Sequence, residues 1–281
     1  MKTKLACIFS TLALLAGIHQ CAAQTSFVLA TNYPVGAPEF VTAADVNGDG
    51  KPDLIIVNCY TDDSPTHTLT VMTNNGSGGF AVSATLAVGV RPSQVVAADV
   101  NGDGKVDLIC CNNRSSTLTI YTNDGSGGFM LSSTPSVGLH PTCVVAADVN
   151  GDGKVDLISA NVEATTLTVL TNDGSGGFVI SSTPDIGPGC TWLVAADVNG
   201  DGKMDLISAY GYDTYVNVWT NNGSGAFGLS SMIAAGYVAD FTTADVNGDG
   251  KVDLILNEVN NNDLIITTVR FRNPVNTDDF V

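Results

Sequence analysis

The chain contains few basic residues and few histidines. It carries 11 Lys and Arg against 28 Asp and Glu, which gives a formal net charge of −17. So acidic a protein repels nucleic acids and anionic membranes, and neither is predicted as a partner. Only 3 histidines are present, and no G-x-S-x-G sequence occurs. We therefore predict that the protein is not an enzyme and has no catalytic residues.

Long apolar runs are also scarce, and the main one lies at the N-terminus. Lys2 and Lys4 precede an uncharged apolar run from Leu5 to Ile18, and small residues follow at Cys21-Ala22-Ala23. This is the pattern of a secretory signal peptide over residues 1–23, removal of which takes the net charge to −19. The run is too short for a comfortable membrane span. We predict an exported protein, secreted or at the cell surface or in the periplasm, without a transmembrane segment.

Cysteine is too scarce, and its number too irregular, for a disulfide framework. Beyond the signal peptide, cysteines stand only at Cys59, Cys110, Cys111, Cys143 and Cys190. An odd number excludes complete pairing within the chain. A bridge between the adjacent Cys110 and Cys111 is not expected either, because neighbouring residues in a strand point to opposite faces.

What the sequence does contain is a loop repeated five times over residues 24–281. Every copy is D-V-N-G-D-G-K-x-D followed by Leu, at 45–53, 99–107, 148–156, 197–205 and 245–253. The starts are 54, 49, 49 and 48 residues apart. Repeats of this length are typical of solenoids and propellers. Short apolar runs separated by Gly, Asn, Asp, Ser and Thr indicate an all-β fold.

The residue types and spacing in the loop indicate calcium. Oxygens at positions 1, 3, 5 and 9, with the main-chain carbonyl at position 7, match the hard ligands that Ca²⁺ prefers, and glycines at positions 4 and 6 let the backbone curl. A row of simple polar turns is the alternative, although three clustered carboxylates would then repel one another. About five calcium ions are predicted. The candidate ligands are Asp45, Asn47, Asp49, Lys51, Asp53, Asp99, Asn101, Asp103, Lys105, Asp107, Asp148, Asn150, Asp152, Lys154, Asp156, Asp197, Asn199, Asp201, Lys203, Asp205, Asp245, Asn247, Asp249, Lys251 and Asp253, each lysine through its carbonyl.

These loops resemble the FG-GAP repeat, also called the VCBS repeat, of integrin α-chain propellers and many secreted bacterial proteins. An EF-hand is excluded because position 12 is never Glu. The resemblance implies a β-propeller with one calcium loop per blade, and it leaves the ligand open.

Strand counting predicts five four-stranded blades. The third unit shows strands at 142–147, 156–160, 166–171 and 178–182. Residues 27–30 match the fourth strand of a repeat, but no first, second or third strand precedes them. The last unit has the first three strands and stops at Phe280-Val281, where its fourth strand would begin. The N-terminal strand would therefore complete the fifth blade and close the ring. The alternative is that the chain forms part of a seven-bladed ring.

One face of the predicted disc differs from repeat to repeat and is where a ligand would bind. It offers the candidate ligand-binding residues Arg91, His140, Trp192, Tyr210, Tyr212, Tyr215 and Tyr237. Trp192 and some of the tyrosines could instead fill gaps between blades. The predicted function is an adhesion or binding scaffold for an extracellular glycan or protein. A lectin with repeated sugar sites and a calcium-dependent polysaccharide lyase or hydrolase are the alternatives.

Overall fold

The fold was analysed in a computed structural model of the chain. The structure describes residues 32–59, 67–187, 189–210, 214–260 and 263–270. The predicted signal peptide, the predicted strand at 27–30 and the C-terminal Phe280-Val281 lie outside these residues. Within the described ranges, no helix is long and apolar enough to cross a bilayer.

The described residues form nineteen β-strands. Their order along the chain is β1 Pro38–Ala44, β2 Asp53–Asn58, β3 Thr68–Asn74, β4 Phe80–Ala87, β5 Pro92–Ala98, β6 Asp107–Asn112, β7 Thr117–Asn123, β8 Phe129–Ser133, β9 Pro141–Ala147, β10 Asp156–Asn161, β11 Thr166–Asn172, β12 Phe178–Ser182, β13 Trp192–Ala196, β14 Asp205–Ala209, β15 Tyr215–Asn221, β16 Phe227–Ala234, β17 Tyr237–Ala244, β18 Asp253–Asn260 and β19 Asp263–Arg270. The predicted strands of the third unit agree with β9 to β12 to within one residue at each end.

Each repeat folds into one antiparallel sheet, and the protein is a β-propeller. Sheets 1 to 4 have four strands each, in the orders β1-β2-β3-β4, β5-β6-β7-β8, β9-β10-β11-β12 and β13-β14-β15-β16. Sheet 5 consists of β17-β18-β19 among the described residues. The four strands of a sheet are called a, b, c and d in chain order, and a d–a loop leads to the next sheet. Every neighbouring pair is antiparallel, so a–b loops and c–d turns leave one end of a sheet, and b–c and d–a loops leave the other. This confirms the predicted division into two faces.

The core lies between successive sheets. The second strand of each sheet is a short apolar run. Its side chains point alternately toward the sheet before and the sheet after, which explains why the strand is buried on both faces. In β6, Cys110 packs into the core shared with sheet 1, whereas Cys111 packs into the core shared with sheet 3. Both thiols are free, and burial raises the pKa of Cys111 to about 12. The prediction that the two side chains point to opposite faces is confirmed.

The first strand of each sheet lies innermost, because neighbouring sheets approach most closely through β1 and β5, β5 and β9, β9 and β13, and β13 and β17. No comparable approach joins β17 to β1 in the described part of the chain. The loop of the last sheet also differs from those of the other sheets in burial. Val149 in the third loop is 1 % exposed, whereas its counterpart Val246 in the fifth loop is 52 % exposed. Closure of the ring therefore stays a prediction.

Candidate metal loops and binding face

In four of the five loops, the side chains at positions 1 and 3 accept a hydrogen bond from the same backbone N–H, that of position 5. In the first loop, Asp49 N donates to Asp45 Oδ1 at 3.2 Å and to Asn47 Oδ1 at 3.0 Å. The other oxygen of Asp45 accepts from Gly50 N at 2.7 Å. Gly48 and Gly50 have φ angles of 73° and 80°, as predicted for positions 4 and 6. The loop therefore curls so that its oxygens face inward.

The aspartate at position 5 of the loop is paired with the lysine at position 7. Lys51 Nζ lies 3.1 Å from Asp49 Oδ2, and the side-chain hydrogen bond from this lysine lowers the pKa of Asp49. The lysine stem also lies over the c–d turn of its own sheet, because a Cβ added at Gly76 would meet Lys51 Cε. The equivalent pairs, Lys105 with Asp103, Lys154 with Asp152 and Lys203 with Asp201, have separations of 3.4, 3.9 and 3.5 Å.

The aspartate at position 9 is buried and binds the backbone at two separate places. Asp107 Oδ2 accepts from Val100 N in its own loop at 3.0 Å, and Oδ1 accepts from Asn123 N at the end of β7 at 2.8 Å. Burial raises the pKa of Asp107, and the negative charges of Asp103 and Asp99 act in the same direction. This residue ties the loop to the far end of the sheet as well as carrying a charge.

The asparagine at the end of the third strand joins each loop to the next sheet. Asn123 Nδ2 donates to Val106 O in its own sheet at 2.9 Å and to Val46 O in the first loop at 2.7 Å. The same pair of bonds is made by Asn172, to Val155 O and Val100 O, and by Asn221, to Met204 O and Val149 O. On the face formed by the a–b loops and c–d turns, called the repeated face, each of the first three metal loops is therefore hydrogen-bonded to the following sheet.

The loop residues fit a hard divalent cation by their chemistry. Each loop offers only oxygen donors, and its three aspartates outnumber its one lysine. In the ranges that the structure describes, no three His, Cys, Asp or Glu side chains are gathered closely enough to form a metal cluster. In the first loop, both carboxylate oxygens of Asp45 accept N–H groups of the loop, and the two oxygens of Asp53 accept from Val46 N and Asn74 N.

On the opposite face, the first strands begin beside the b–c loops. Asn113 N donates to Arg91 O at 2.9 Å, and Val162 N donates to His140 O at 3.1 Å. Arg91 is exposed, whereas His140 is partly buried and its Nε2 lies 3.6 Å from Glu163 Oε2. Sequence reasoning placed Arg91 and His140 on this face, and the structure agrees.

The aromatic candidates lie around sheets 4 and 5 in different environments. Trp192 belongs to β13 and packs against the core between sheets 4 and 5, which supports the gap-filling alternative for this residue. The ring of Tyr210 lies against Gly189, and Tyr215 is an exposed residue at the start of β15. Tyr237 begins β17, and Tyr212 lies outside the described residues.

A family model for the FG-GAP-like repeat matches residues 45–110, 99–159, 148–208 and 197–256. The chain belongs to the FG-GAP-like repeat family. These matches span most of the five sheets, and the predicted resemblance is confirmed.

Solved structures with the same fold include several that match most of the FG-GAP chain. A lectin from Agrocybe aegerita that recognises non-reducing terminal N-acetylglucosamine is 20% identical, with 83% of this chain and 66% of that chain covered and a TM-score of 0.53. A Lactobacillus plantarum protein is 15% identical, with 83% and 71% covered and a TM-score of 0.56. A Bacteroides uniformis protein provisionally assigned as a 6-phosphogluconolactonase is 14% identical, with 85% and 72% covered and a TM-score of 0.60. These likenesses establish the fold alone. No curated protein matches the sequence.

Two sets of residues in the FG-GAP-like repeats escaped the sequence reasoning. The first set comprises the bridging asparagines Asn123, Asn172 and Asn221, whose regular position six residues before the repeated phenylalanine was a signal for a shared role. The second comprises Arg114 and Glu163, which occupy one position of the repeat with opposite charges. Comparing repeats for differences, rather than for identities, would have found this second set.

Proposed function

We propose that the protein is an exported, calcium-stabilised scaffold that binds an extracellular glycan or protein. The binding surface would be the face formed by the b–c and d–a loops, which is called the varied face because these loops differ between repeats. One observation carries the calcium part of this proposal. The loop that supplies the cation ligands is also the loop that accepts the inter-sheet hydrogen bond, as between Val46 O and Asn123 Nδ2. A ligand that fixes the loop would therefore fix the junction between two sheets.

The cation would be held by the side chains at positions 1, 3, 5 and 9 of each loop and by the carbonyl of the lysine at position 7. When bound, it supplies positive charge to a group of carboxylates that otherwise repel one another. The chain contributes the rest: positive-φ glycines curl the loop, and the buried position-9 aspartate fixes it to the end of the third strand. The metal ions would therefore have a structural role, since the loops lie on the opposite side of the sheets from the varied face.

Binding is proposed for the varied face because only this face differs between repeats. Its loops are connected to the sheets by backbone bonds such as Val162 N to His140 O and Val137 N to Ser116 O. Loops that are fixed in this way, and that differ in side chains, can form a specific surface on a common scaffold. The related fold of the Agrocybe aegerita lectin supports a saccharide as one ligand class.

We do not propose a catalytic function. The loop carboxylates are engaged with backbone N–H groups and lysines, and on the varied face His140 lies beside the carboxylate of Glu163. The leader at residues 1–23 supports export, which places the scaffold where millimolar calcium and extracellular ligands are both available.

The calcium proposal is tested on the mature chain, residues 24–281, after dialysis into metal-free buffer and then into calcium. We expect about five bound ions by elemental analysis and a rise of several degrees in Tm. The variant Asp148→Ala should lose about one ion. Asp124→Asn is the matched control, because Asp124 lies in a c–d turn where the first and fourth sheets carry Asn75 and Asn222. Identical melting curves with and without calcium would overturn the proposal.

A further inference from the structure

We propose that Arg91 and Arg114, together with His140 on the next sheet, bind the anionic groups of an acidic polysaccharide. This inference rests on the proposed function, since it names the ligand class of the varied face. The starting point is the placement of charge: in a chain with 28 acidic residues, two of the four arginines lie in neighbouring loops of one sheet.

The basic residues divide sharply between the two faces. Beyond the signal peptide, the five lysines all occupy position 7 of the metal loops. Arg91 and Arg114 lie in two loops at the same end of sheet 2, on the varied face, and the two other arginines, Arg270 and Arg272, lie near the end of the chain. Two arginines that lie close together attract an anion and repel a cation.

Backbone hydrogen bonds hold the two arginines together. Asn113 N donates to Arg91 O at 2.9 Å, and Arg114 N donates to Val90 O at 3.1 Å, so the d–a and b–c loops of sheet 2 run side by side. Ser115 Oγ accepts from Val90 N at 2.7 Å and fixes the same turn. The two guanidinium groups therefore start from adjacent, rigidly connected backbone positions.

The third member of the group is connected to them across the sheet junction. Asn113 Nδ2 donates to Pro141 O at 3.1 Å, and Ser93 Oγ lies 3.4 Å from the same carbonyl. Pro141 directly follows His140 in the chain, so the imidazole begins one residue from an atom that Asn113 contacts. The site thus spans sheets 2 and 3.

The side chains are placed to reach a ligand. Arg91 and Arg114 are exposed, and His140 is partly buried. Each arginine already has an interaction within the chain, but a guanidinium carries five N–H donors and can serve a further anion. Two exposed aliphatic side chains, Val90 and Leu139, immediately precede Arg91 and His140. Cations beside an apolar surface suit a charged sugar ring, which has both anionic groups and a C–H face.

The backbone at this position is strained, as it also is at Ser116 and Thr165 in the b–c loops. Arg91 and His140 have φ angles of 55° and 54°, in the left-handed region that disfavours side chains. In sheet 4, the equivalent residue is Gly189, with a φ of 87°. Glycine would remove the strain in sheets 2 and 3 as well, so the retained side chains of Arg91 and His140 point to a function.

The same position on two consecutive sheets also favours a ligand with repeated charges. His140 follows Arg91 by one repeat, and Glu163 follows Arg114 by one repeat. Glu163 lies 3.6 Å from His140 and places a negative charge at the edge of the site. It would weaken the attraction of an anion at that end, which makes its removal a useful test.

The test uses the calcium-loaded mature chain with three probes measured by isothermal titration calorimetry: polygalacturonate for carboxylates, dextran sulfate for sulfates, and neutral dextran. We expect one of the two acidic polymers to bind, and dextran not to bind. The double variant Arg91→Gln/Arg114→Gln should weaken binding roughly tenfold or more, and Glu163→Gln should strengthen it about two- to threefold. Asp124→Asn on the repeated face is the control and should bind as the unaltered chain does.

Each outcome decides between the proposals. Preference for polygalacturonate assigns the site to carboxylates, and preference for dextran sulfate assigns it to sulfates. Equal binding by the double variant and the unaltered chain would overturn the inference, because the arginines would then be irrelevant. Binding of a neutral glycan or of an acidic peptide, without binding of either acidic polymer, would also overturn it while leaving the scaffold proposal in place. Retention of fold is checked for each variant by its Tm.

Discussion

Asn123 donates its side-chain amide to the carbonyl of Val46, 2.7 Å away, across the junction between the first and second sheets. The donor ends a strand in one repeat, and the acceptor is the second residue of the metal loop in the preceding repeat. Together with the bond from Asn123 N to the buried carboxylate of Asp107, this contact makes each loop a shared part of two sheets. Loop order and sheet packing are therefore coupled.

Replacing Asn123 by alanine tests this coupling. The change removes three side-chain hydrogen bonds: the carbonyls of Val46 and Val106 lose the amide that donates to them, and Gly125 N loses its acceptor. We expect the free energy of unfolding to fall by about 2 kcal/mol in urea denaturation. Asn74→Ala is the control, because Asn74 Nδ2 donates only to Pro52 O within its own sheet among the described residues, and should cost about 1 kcal/mol. Equal losses would argue against inter-sheet bridging.

The two kinds of loop aspartate should respond differently to conversion into asparagine. Asp107 accepts a backbone N–H on each carboxylate oxygen, so an amide would turn its NH₂ group toward one of these donors. We expect Asp107→Asn to destabilise the fold by about 3 kcal/mol with or without calcium. Asp103→Asn alters an exposed residue whose surface ion pair with Lys105 contributes little, so it should mainly reduce the part of Tm that calcium adds. Thermal melts of both variants in metal-free and calcium buffers measure the difference.

The architecture was accessible from the sequence because its determinants are local and repeated. The loop Asp148–Asp156 sets where β9 ends and β10 begins, and the turn before Phe178 sets where β11 ends. Apolar runs such as Leu157-Ile158 are too short for helices, so they indicated strands. The structure agrees with the predicted strands because each signal acts over a few residues.

Contacts between repeats were not accessible in the same way. Nothing local distinguishes Asn123, which bridges two sheets, from Asn74, whose side-chain amide donates only within its own sheet among the described residues. The role of Trp192 likewise depends on the neighbouring sheet, since the side chain packs against the core that sheet 5 completes. These properties arise from how sheets are stacked, and a repeat read by itself does not contain that information.

The metal-free protein should lose stability as the pH rises above about 4. Burial raises the pKa of Asp107, Asp156 and Asp205 in the folded chain, with the charges of the other loop aspartates adding to the effect. Between the unfolded value of 3.8 and the raised folded values, the folded chain holds protons that the unfolded chain has released. The free energy of unfolding therefore decreases with pH in this window.

Calcium should remove this dependence, because it compensates the ionised carboxylates. Urea midpoints measured at half-unit steps from pH 4 to pH 7, in metal-free and calcium buffers, check the prediction. Below pH 3.8 the sign reverses: the hydrogen bond from Lys51 lowers the pKa of Asp49, so the stability that this residue contributes is lost as the pH falls. A metal-free protein that becomes steadily more stable from pH 4 to pH 7 would contradict the argument.

Replacing the strained His140 on the varied face by glycine should increase stability and weaken ligand binding. His140 has a φ of 54°, whereas glycine adopts such angles without steric cost and does so at Gly189 in the next sheet. We expect His140→Gly to raise the free energy of unfolding by about 0.5–1 kcal/mol and to weaken binding of the acidic polysaccharide. The control is His140→Ala, which loses the imidazole but keeps the strain and should bind equally weakly without the gain. Urea denaturation and calorimetry on the same samples separate the two effects, and a glycine variant less stable than the alanine variant would show that the backbone here is unstrained.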